Sequence, residues 1–366
     1  MKSVRKSCST FNSTIQRVKS PQSKRWARGK KVKRTRLSIF LVILLTACSC
    51  GRRVIGPDPE NNPMKHFNLL WEDFDRHYSR FPYKGVRWDS LRSVYSAMVT
   101  DRTTDGELFN VLSSMLGHLR DSHAVLESPF KFFQYFPKGY VRNFNFSHVK
   151  AHYLQKTAVQ TVFTTGLLAN DIGYIHIATF MQSKDDYLGI DGILQEYGQC
   201  RGLVVDVRNN SGGSSGNAGT VAGRFADGSR LYSRIQYRNG PSHSDFTDPI
   251  DCTISPGGAF QFTKKVVLLT NRFVGSAAED FVMMMEVMPH VTVVGDTTSG
   301  SSGGSPVTRE LPNGWGYRIP VAMQMTAGNV VFEGIGIAPD IPVWITALDG
   351  AQGKDTILDK AIEILQ

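Results

Sequence analysis

The sequence predicts an α/β fold in which an N-terminal helical bundle precedes a mixed β-sheet core covered by helices. Two observations predict it. Between residues 63 and 120, apolar side chains recur at intervals of three and four, as on one face of a helix. From residue 171 onward, continuous apolar runs alternate with helical stretches, which is typical of a buried sheet with helices packed on it.

The predicted bundle covers residues 63–125. Its first helix starts near Met64 and carries the apolar stripe Phe67, Leu70, Trp71, Phe74 and Tyr78. Its second and third helices cover roughly residues 88–99 and 105–119, and the third begins after a polar Thr-Thr-Asp sequence that favours a helix N-terminus. Residues 126–170 are aromatic-rich at first and alternate weakly later, so we assign them to a connection of strands and loops.

Residues 171–366 form the predicted core. Its strands are Gly173–Phe180, Gly202–Val207, Lys265–Thr270 and Val291–Gly295. Its helices cover residues 185–197, 277–287 and 355–365.

Residues 1–47 have the layout of a secretory signal. Thirteen Lys and Arg and no acidic residue precede an apolar run, Leu37–Ala47, that is shorter than the roughly 20 residues needed to span a bilayer. Leu-Thr-Ala-Cys at its end resembles the bacterial lipobox. We therefore expect a lipid on Cys48, a tether over residues 48–62, and a place in the cell envelope facing the periplasm; an uncleaved anchor is the alternative.

The chain is close to neutral once this signal is removed, with 29 basic and 32 acidic residues instead of a net charge of +10. The basic balance gives no indication of nucleic acid binding. The remaining cysteines, Cys48, Cys50, Cys200 and Cys252, form no CxxC or Cys/His pattern, so neither a metal site nor a cofactor is predicted. Cys200 and Cys252 are either a disulfide or two free thiols.

Two polar turns follow predicted strands, at the edge where sheets of this kind bind ligands. One is Asp206–Gly213, and the other is Asn271–Glu279, which contains Ser276. A serine at a helix N-terminus lies beside backbone N–H groups and the positive end of the helix dipole, as a nucleophile and its oxyanion require. Taken alone, Ser276 is more simply a helix cap.

Five segments, in order, resemble the tail-specific (C-terminal-processing) serine peptidases and the core of the tricorn protease. They are Leu119–Ala124, Asp206–Gly213, Gly275–Glu279, Val294–Gly300 and Glu333–Asp340. The resemblance runs from residue 64 to residue 366. It implies a ClpP/crotonase-like core and a metal-free serine peptidase that uses Ser276 as its nucleophile.

The sequence distinguishes between two catalytic arrangements of this family. In the tail-specific branch a Lys 25 residues after the nucleophile is the base, and that position is Ser301 here. The tricorn-like branch uses a Ser-His pair and a Glu, and Ser122, His123 and Glu333 stand at the matching places. The resemblance implies that His123 accepts the Ser276 proton, and that Glu333 contacts Ser122 rather than the imidazole.

The predicted oxyanion hole consists of the backbone N–H of Ala277 and that of Gly212 or Gly213. Glycine lets the backbone approach a substrate closely and adopt angles that are strained for other residues. Arg208 and Glu279 also match family positions, and we expect both to be structural.

The length of the connection between His123 and the core bears on how a substrate would reach the site. Many relatives carry a peptide-binding PDZ module between the histidine and the core, and the 49 residues between His123 and Gly173 are too few for one. We therefore expect peptide substrates, or protein tails, to enter the cleft directly. A non-catalytic peptide- or lipid-binding protein is the alternative, with residues 130–136 and Met283–Met285 lining an apolar pocket, and an esterase is a third class. The complete serine, histidine and glutamate set favours the peptidase.

Overall fold

The computed structural model describes residues 61–137, 139–140 and 144–366, which belong to one compact unit. The predicted signal and Cys48 lie outside the described residues. In chain order the helices are α1 (Pro63–His77), α2 (Phe81–Lys84), α3 (Trp88–Ser96), α4 (Asp105–Gly117), α5 (Phe146–His152), α6 (Asp185–Leu188), α7 (Ile190–Glu196), α8 (Ser215–Ala222), α9 (Ala277–Glu286), α10 (Ala347–Ala351) and α11 (Thr356–Leu365).

The strands come from both halves of the described chain. They are β1 (Val125–Glu127), β2 (Phe132–Gln134), β3 (Gln155–Gln160), β4 (Phe163–Leu168), β5 (Ile172–Ile177), β6 (Leu203–Asp206), β7 (Arg230–Tyr237), β8 (Ile250–Ile254), β9 (Val266–Thr270), β10 (Val291–Gly295), β11 (Pro306–Glu310), β12 (Gly316–Pro320), β13 (Ala322–Thr326) and β14 (Ile341–Pro342).

The N-terminal helices pack through the stripe that the sequence predicts. Asn62 caps α1 by accepting the Lys65 N–H at 2.8 Å, and α4 begins with a capping box between Thr104 and Glu107. Their apolar cluster continues into a four-stranded antiparallel sheet of order β11-β12-β1-β2, where Trp315 is buried. Because β1 pairs with β12, the loop between α4 and β1 is held at both ends.

The central sheet has seven strands in the order β14-β10-β9-β6-β5-β4-β3. The first five strands are parallel to one another. Strand β4 pairs antiparallel with β5, and β3 pairs antiparallel with β4, so the mixed sheet of the predicted fold class is confirmed. Strands β3 and β4 extend this sheet from the segment assigned to a connection, so the sheet begins before residue 171. A third sheet, β13-β7-β8, is antiparallel.

Helices cover both faces of the central sheet. On one face α8 and α9 pack through a cluster that includes Phe281 and Met283–Met285, so these methionines belong to the core. On the other face α11 buries Ile357, Leu358 and Ala361. In the described part of the chain, no helix is long and apolar enough to cross a membrane. The thiols of Cys200 and Cys252 are free, so the disulfide alternative is not the one observed.

Candidate active site

Ser276 occupies a strained turn between β9 and α9. Its backbone angles, φ 55° and ψ −130°, lie where non-glycine residues cost about 1–3 kcal/mol. Its N–H donates to the Ser301 carbonyl at 2.9 Å, and its hydroxyl forms no capping hydrogen bond with α9. The hydroxyl lies 3.1 Å from Nε2 of His123 instead. The helix-cap interpretation therefore does not account for this residue.

His123 lies in the loop between α4 and β1, with each ring nitrogen facing serine hydroxyls. Beyond the Ser276 contact at Nε2, Nδ1 is 3.4 Å from Ser122 Oγ and 3.4 Å from Ser301 Oγ. The hydroxyls of Ser122 and Ser301 also hydrogen-bond to each other. When Nε2 accepts from Ser276, Nδ1 carries the ring hydrogen and directs it at this pair of hydroxyls.

Burial sets the protonation state of this histidine. Desolvation lowers the pKa of His123 to about 4; Asp121 opposes this shift, whereas Arg80 and Arg318 add to it. The imidazole is therefore neutral at pH 7, which is the state that can accept a proton.

Glu333 does not contact Ser122, so the contact implied by the family resemblance is wrong. Its carboxylate accepts from the Ser302 N–H at 3.1 Å, from Ser302 Oγ at 3.0 Å and from Lys84 Nζ at 2.8 Å. Arg80 Nη1 lies 3.0 Å away. Burial raises the pKa of Glu333, and the positive charges of Arg80 and Lys84 oppose that shift. Lys84 contacts Oε1 of Glu333 and Arg80 contacts Oε2, while the same carboxylate holds Ser302, the residue next to Ser301.

Asp121 connects the same buried ions to the histidine loop. Its Oδ1 accepts the His123 backbone N–H at 2.8 Å, and its Oδ2 accepts from Arg80 at 2.5 Å and from Tyr78 at 2.9 Å. Burial alone would raise the pKa of Asp121, but the Arg80 charge brings it below its usual value. Arg80 thus forms ion pairs with Asp121 and Glu333 at the back of the site.

The glycine turn after β6 packs against the serine turn. Gly212 has a φ of +102°, and a Cβ added there would lie 2.6 Å from Gly275 O and 2.8 Å from Ala277 N. The Gly212 N–H donates to Asn210 Oδ1 at 2.9 Å. In the described chain the N–H groups of Gly213 and Ala277 have no acceptor. Of the two predicted glycines, Gly213 is therefore the one with a free donor.

Two further matched residues hold the turns in place. The buried carboxyl of Glu279 accepts the N–H of Gly300 at 2.8 Å and that of Ser301 at 3.0 Å, and burial raises its pKa to about 8. Arg208 is fully buried and pairs with Asp355 at 2.7 Å, at the start of α11. Glu279 thus fixes the backbone of residues 300–301 and Arg208 fixes the start of α11, so both residues have a structural part.

Sequence reasoning missed several of the residues brought together here, among them Ser301, Asp121 and Arg80. Ser301 was noted only as the position where the tail-specific branch has its lysine. Because that lysine is the base of the branch, its position was the signal that could have placed Ser301 near the catalytic histidine. Asp121 lies in the matched Leu119–Ala124 segment, where it had no assigned part. Arg80 lies outside every matched segment, and nothing in its local sequence marks it. In the part of the chain that the structure describes, no group of His, Cys, Asp or Glu could hold a metal ion.

The fold and the serine–histidine pair define the class of protein: a serine peptidase with a ClpP-like core. Residues 171–343 match Peptidase family S41, and residues 59–117 match the Tricorn protease C1 domain. A crystal structure of a predicted peptidase from Parabacteroides merdae has 34% sequence identity and a TM-score of 0.76, and the match covers 84% of this chain and 97% of that one. The chain belongs to peptidase family S41.

Two curated relatives match this chain at lower sequence identity. The carboxy-terminal processing protease CtpA of Bacillus subtilis is 27% identical over 185 residues, which is 50% of this chain and 37% of that protein. The Tricorn protease of Thermoplasma acidophilum is 26% identical over 201 residues, which is 53% of this chain and 16% of that protein. The chain therefore matches little more than a third of the first relative's length and a sixth of the second's.

Proposed function

We propose that the protein hydrolyses peptide bonds in extracytoplasmic peptides or protein tails, with Ser276 as nucleophile and His123 as general base. One observation carries the proposal. The Ser276 hydroxyl lies 3.1 Å from Nε2 of a histidine that burial keeps neutral at pH 7. A hydroxyl within hydrogen-bond reach of a neutral imidazole is the arrangement that activates serine for attack on a carbonyl.

The reaction follows from this geometry. Ser276 Oγ attacks the peptide carbonyl and its proton passes to His123 Nε2, which leaves a tetrahedral intermediate with a negative oxygen. The free N–H groups of Gly213 and Ala277 are the proposed donors to that oxygen. The imidazolium then protonates the leaving amine, the C–N bond breaks, and a water molecule activated by His123 hydrolyses the acyl-serine.

The orientation of the imidazole depends on hydroxyl groups. In the described part of the chain, no carboxylate contacts the ring, and Nδ1 faces only Ser122 and Ser301. The two hydroxyls accept the Nδ1 hydrogen and stabilise the imidazolium by their dipoles. Glu333 acts further away: through Ser302 it fixes the loop that carries Ser301.

A fluorophosphonate probe, which reacts with activated serine hydroxyls, tests this proposal. We expect the purified protein to be labelled, and the Ser276→Ala and His123→Ala variants to lose labelling. His118→Ala is the matched control, because His118 contacts Tyr95 at 2.9 Å and forms no hydrogen bond with Ser276 or His123. A folded parent that resists the probe would favour the non-catalytic binding protein, and labelling that survives Ser276→Ala would overturn the choice of nucleophile.

We also propose that the protein works at a membrane surface in the cell envelope, held by a lipid on Cys48. The support is the basic segment, the short apolar run and the Leu-Thr-Ala-Cys sequence. Incorporation of labelled fatty acid into the parent, and its loss in Cys48→Ser, is the expected result. Equal incorporation in both, or none in either, would contradict the anchor.

A further inference from the structure

A positively charged residue that has no partner in the described part of the chain lies on the sheet next to the loop of the proposed catalytic histidine. Arg318 in β12 is opposite Val125 in β1, and Gln134 in β2 is the next residue of the same cross-strand row. Residues directly opposite one another in a sheet share a face. Gln134 donates from its side chain to the Ser122 carbonyl at 2.6 Å, so this face is the one turned toward the loop of His123.

The guanidinium of Arg318 has no hydrogen bond and no ion pair within the described part of the chain, although it is partly buried. Its charge nevertheless reaches the site, because it adds to the burial that lowers the pKa of His123. Glu127 and Glu310 flank Gly316 in the next row of the same face, and neither comes within 4.0 Å of Arg318. A guanidinium that has lost part of its hydration and gained no partner is suited to an anionic ligand.

An arginine on the other face of the same sheet shows the ordinary arrangement. Arg309 in β11 is opposite Tyr317, which faces the apolar cluster, and it pairs with Asp73 at 3.1 Å. The two arginines therefore differ in surroundings, although they sit on neighbouring strands.

The position of Arg318 also indicates which part of a substrate it would meet. The general acid must lie next to the leaving nitrogen, so the leaving fragment departs on the histidine side of the nucleophile. The four-stranded sheet that carries Arg318 adjoins His123, whereas Gly213 and Ala277 follow strands of the central sheet. A substrate's leaving fragment thus runs along the face that carries Arg318.

We propose that Arg318 binds a carboxylate of the leaving fragment, so that this site selects peptides with a carboxylate shortly after the scissile bond. The inference rests on the proposed peptidase function. A guanidinium can hold a carboxylate through two parallel hydrogen bonds. The carboxylate comes either from the free C-terminus of the substrate or from an Asp or Glu side chain.

Synthetic peptides separate these two sources. One set contains peptides of identical sequence made as free acids and as C-terminal carboxamides, and a second set carries Glu or Gln at successive internal positions with an amidated end. The full-length protein is incubated with both sets, and products are identified by mass spectrometry. We expect kcat/KM for the carboxylate-bearing member of a matched pair to exceed that for its neutral partner by roughly ten- to a hundred-fold, as for hydrogen bonds to charged groups.

Three variants assign the preference to Arg318. Arg318→Gln should bring the ratio of kcat/KM values within the matched pairs to about one. Arg318→Lys should keep part of the ratio, because it keeps the charge but not the two-pronged geometry. Arg309→Gln is the matched control on the opposite face and should keep the full ratio.

The outcomes distinguish this inference from the function on which it rests. Preference for free acids assigns the carboxylate to the C-terminus, and preference for internal Glu assigns it to a side chain. Equal cleavage of matched pairs by the parent, or a ratio that survives Arg318→Gln, overturns the part given to Arg318 and leaves the peptidase intact. Absence of any cleavage by a protein that the fluorophosphonate probe labels overturns peptide hydrolysis itself.

Discussion

The two halves of the candidate site are held in place by different kinds of interaction. On the serine side the interactions are mainly between main-chain atoms. Ser276 donates its N–H to the Ser301 carbonyl, and the Gly212 turn packs directly against the backbone of residues 275–277. On the histidine side the interactions are between side chains, because Arg80, buried between Asp121 and Glu333, fixes the loop that carries His123.

This difference teaches how each half should respond to change. A main-chain turn depends on the few residues whose backbone angles it uses, so local substitutions there should move the nucleophile and little else. A buried ion network depends on charge balance, and the loss of one member leaves the others buried without compensation. A substitution on the histidine side should therefore lower the stability of the whole fold, whereas a substitution on the serine side should disturb only the nucleophile turn.

Removing the central cation should have the largest effect. In Arg80→Met the carboxylates of Asp121 and Glu333 stay buried without their shared partner, so we expect the free energy of unfolding to fall by about 3–5 kcal/mol. Urea denaturation measures it. Arg230→Met is the control, because Arg230 forms an exposed pair with Asp227 at 2.8 Å, and the loss of an exposed pair should change the free energy of unfolding little. Similar losses in the two variants would contradict the distinction between the halves.

A local change on the serine side should have the next largest effect. It should lower the rate of the reaction strongly and leave the fold intact. In Gly212→Ala, the new Cβ pushes against Gly275 O and Ala277 N, which displaces the nucleophile turn and one proposed oxyanion donor. We expect kcat/KM to fall by about 10²–10³ on an ester substrate.

Gly192→Ala is the matched control for this change, because a Cβ there meets nothing within 4 Å. Circular dichroism should show both variants folded. A Gly212→Ala protein with the parent's rate would separate this turn from the chemistry.

The smallest effect should come from the hydroxyl beside the imidazole. In Ser301→Ala one acceptor for Nδ1–H is lost, and we expect kcat to fall about 3- to 10-fold, the worth of an ordinary hydrogen bond. Ser299→Ala is the control, because the buried Ser299 hydroxyl has no partner in the described chain.

The pH profile shows whether Ser301 acts on the histidine or only packs. Burial lowers the pKa of His123 to about 4, so kcat/KM of the parent should rise through about pH 4 and be flat toward neutrality. Loss of an acceptor disfavours the imidazolium, so Ser301→Ala should keep its acid limb near or below pH 4. A limb that moves up toward 6.5 would instead mean that the loop has opened and that water has re-entered.

The fold was largely predictable because its elements are marked by local patterns. Strand Val291–Gly295 was predicted with its observed bounds, and α9 was predicted one residue too long. Residues 185–197 were predicted as one helical stretch, whereas α6 and α7 are separated at Gly189. Strands β3 and β4 were missed as members of the central sheet. Strand β3 is exposed along its whole length and shows no apolar face, whereas β4 is mostly buried.

The candidate site was predictable only where short-range sequence determines it. Ser276 lies in a strand–turn–helix segment, and His123 lies in a matched motif. Arg80 reaches the site from about forty residues before Asp121, and Glu333 reaches it from far downstream, so their meeting depends on tertiary packing alone. The family resemblance implied a contact between Glu333 and Ser122, whereas the structure has Glu333 bound to Ser302.

The pairing of β1 with β12 has a consequence for the order of events during synthesis. The loop of His123 is anchored by a strand near the start of the described chain, but its partner strand lies close to residue 318, and Glu333 comes later still. A chain released or stalled before that point would carry the nucleophile without its base in place. We therefore expect peptidase activity only after the chain has been synthesised through Glu333.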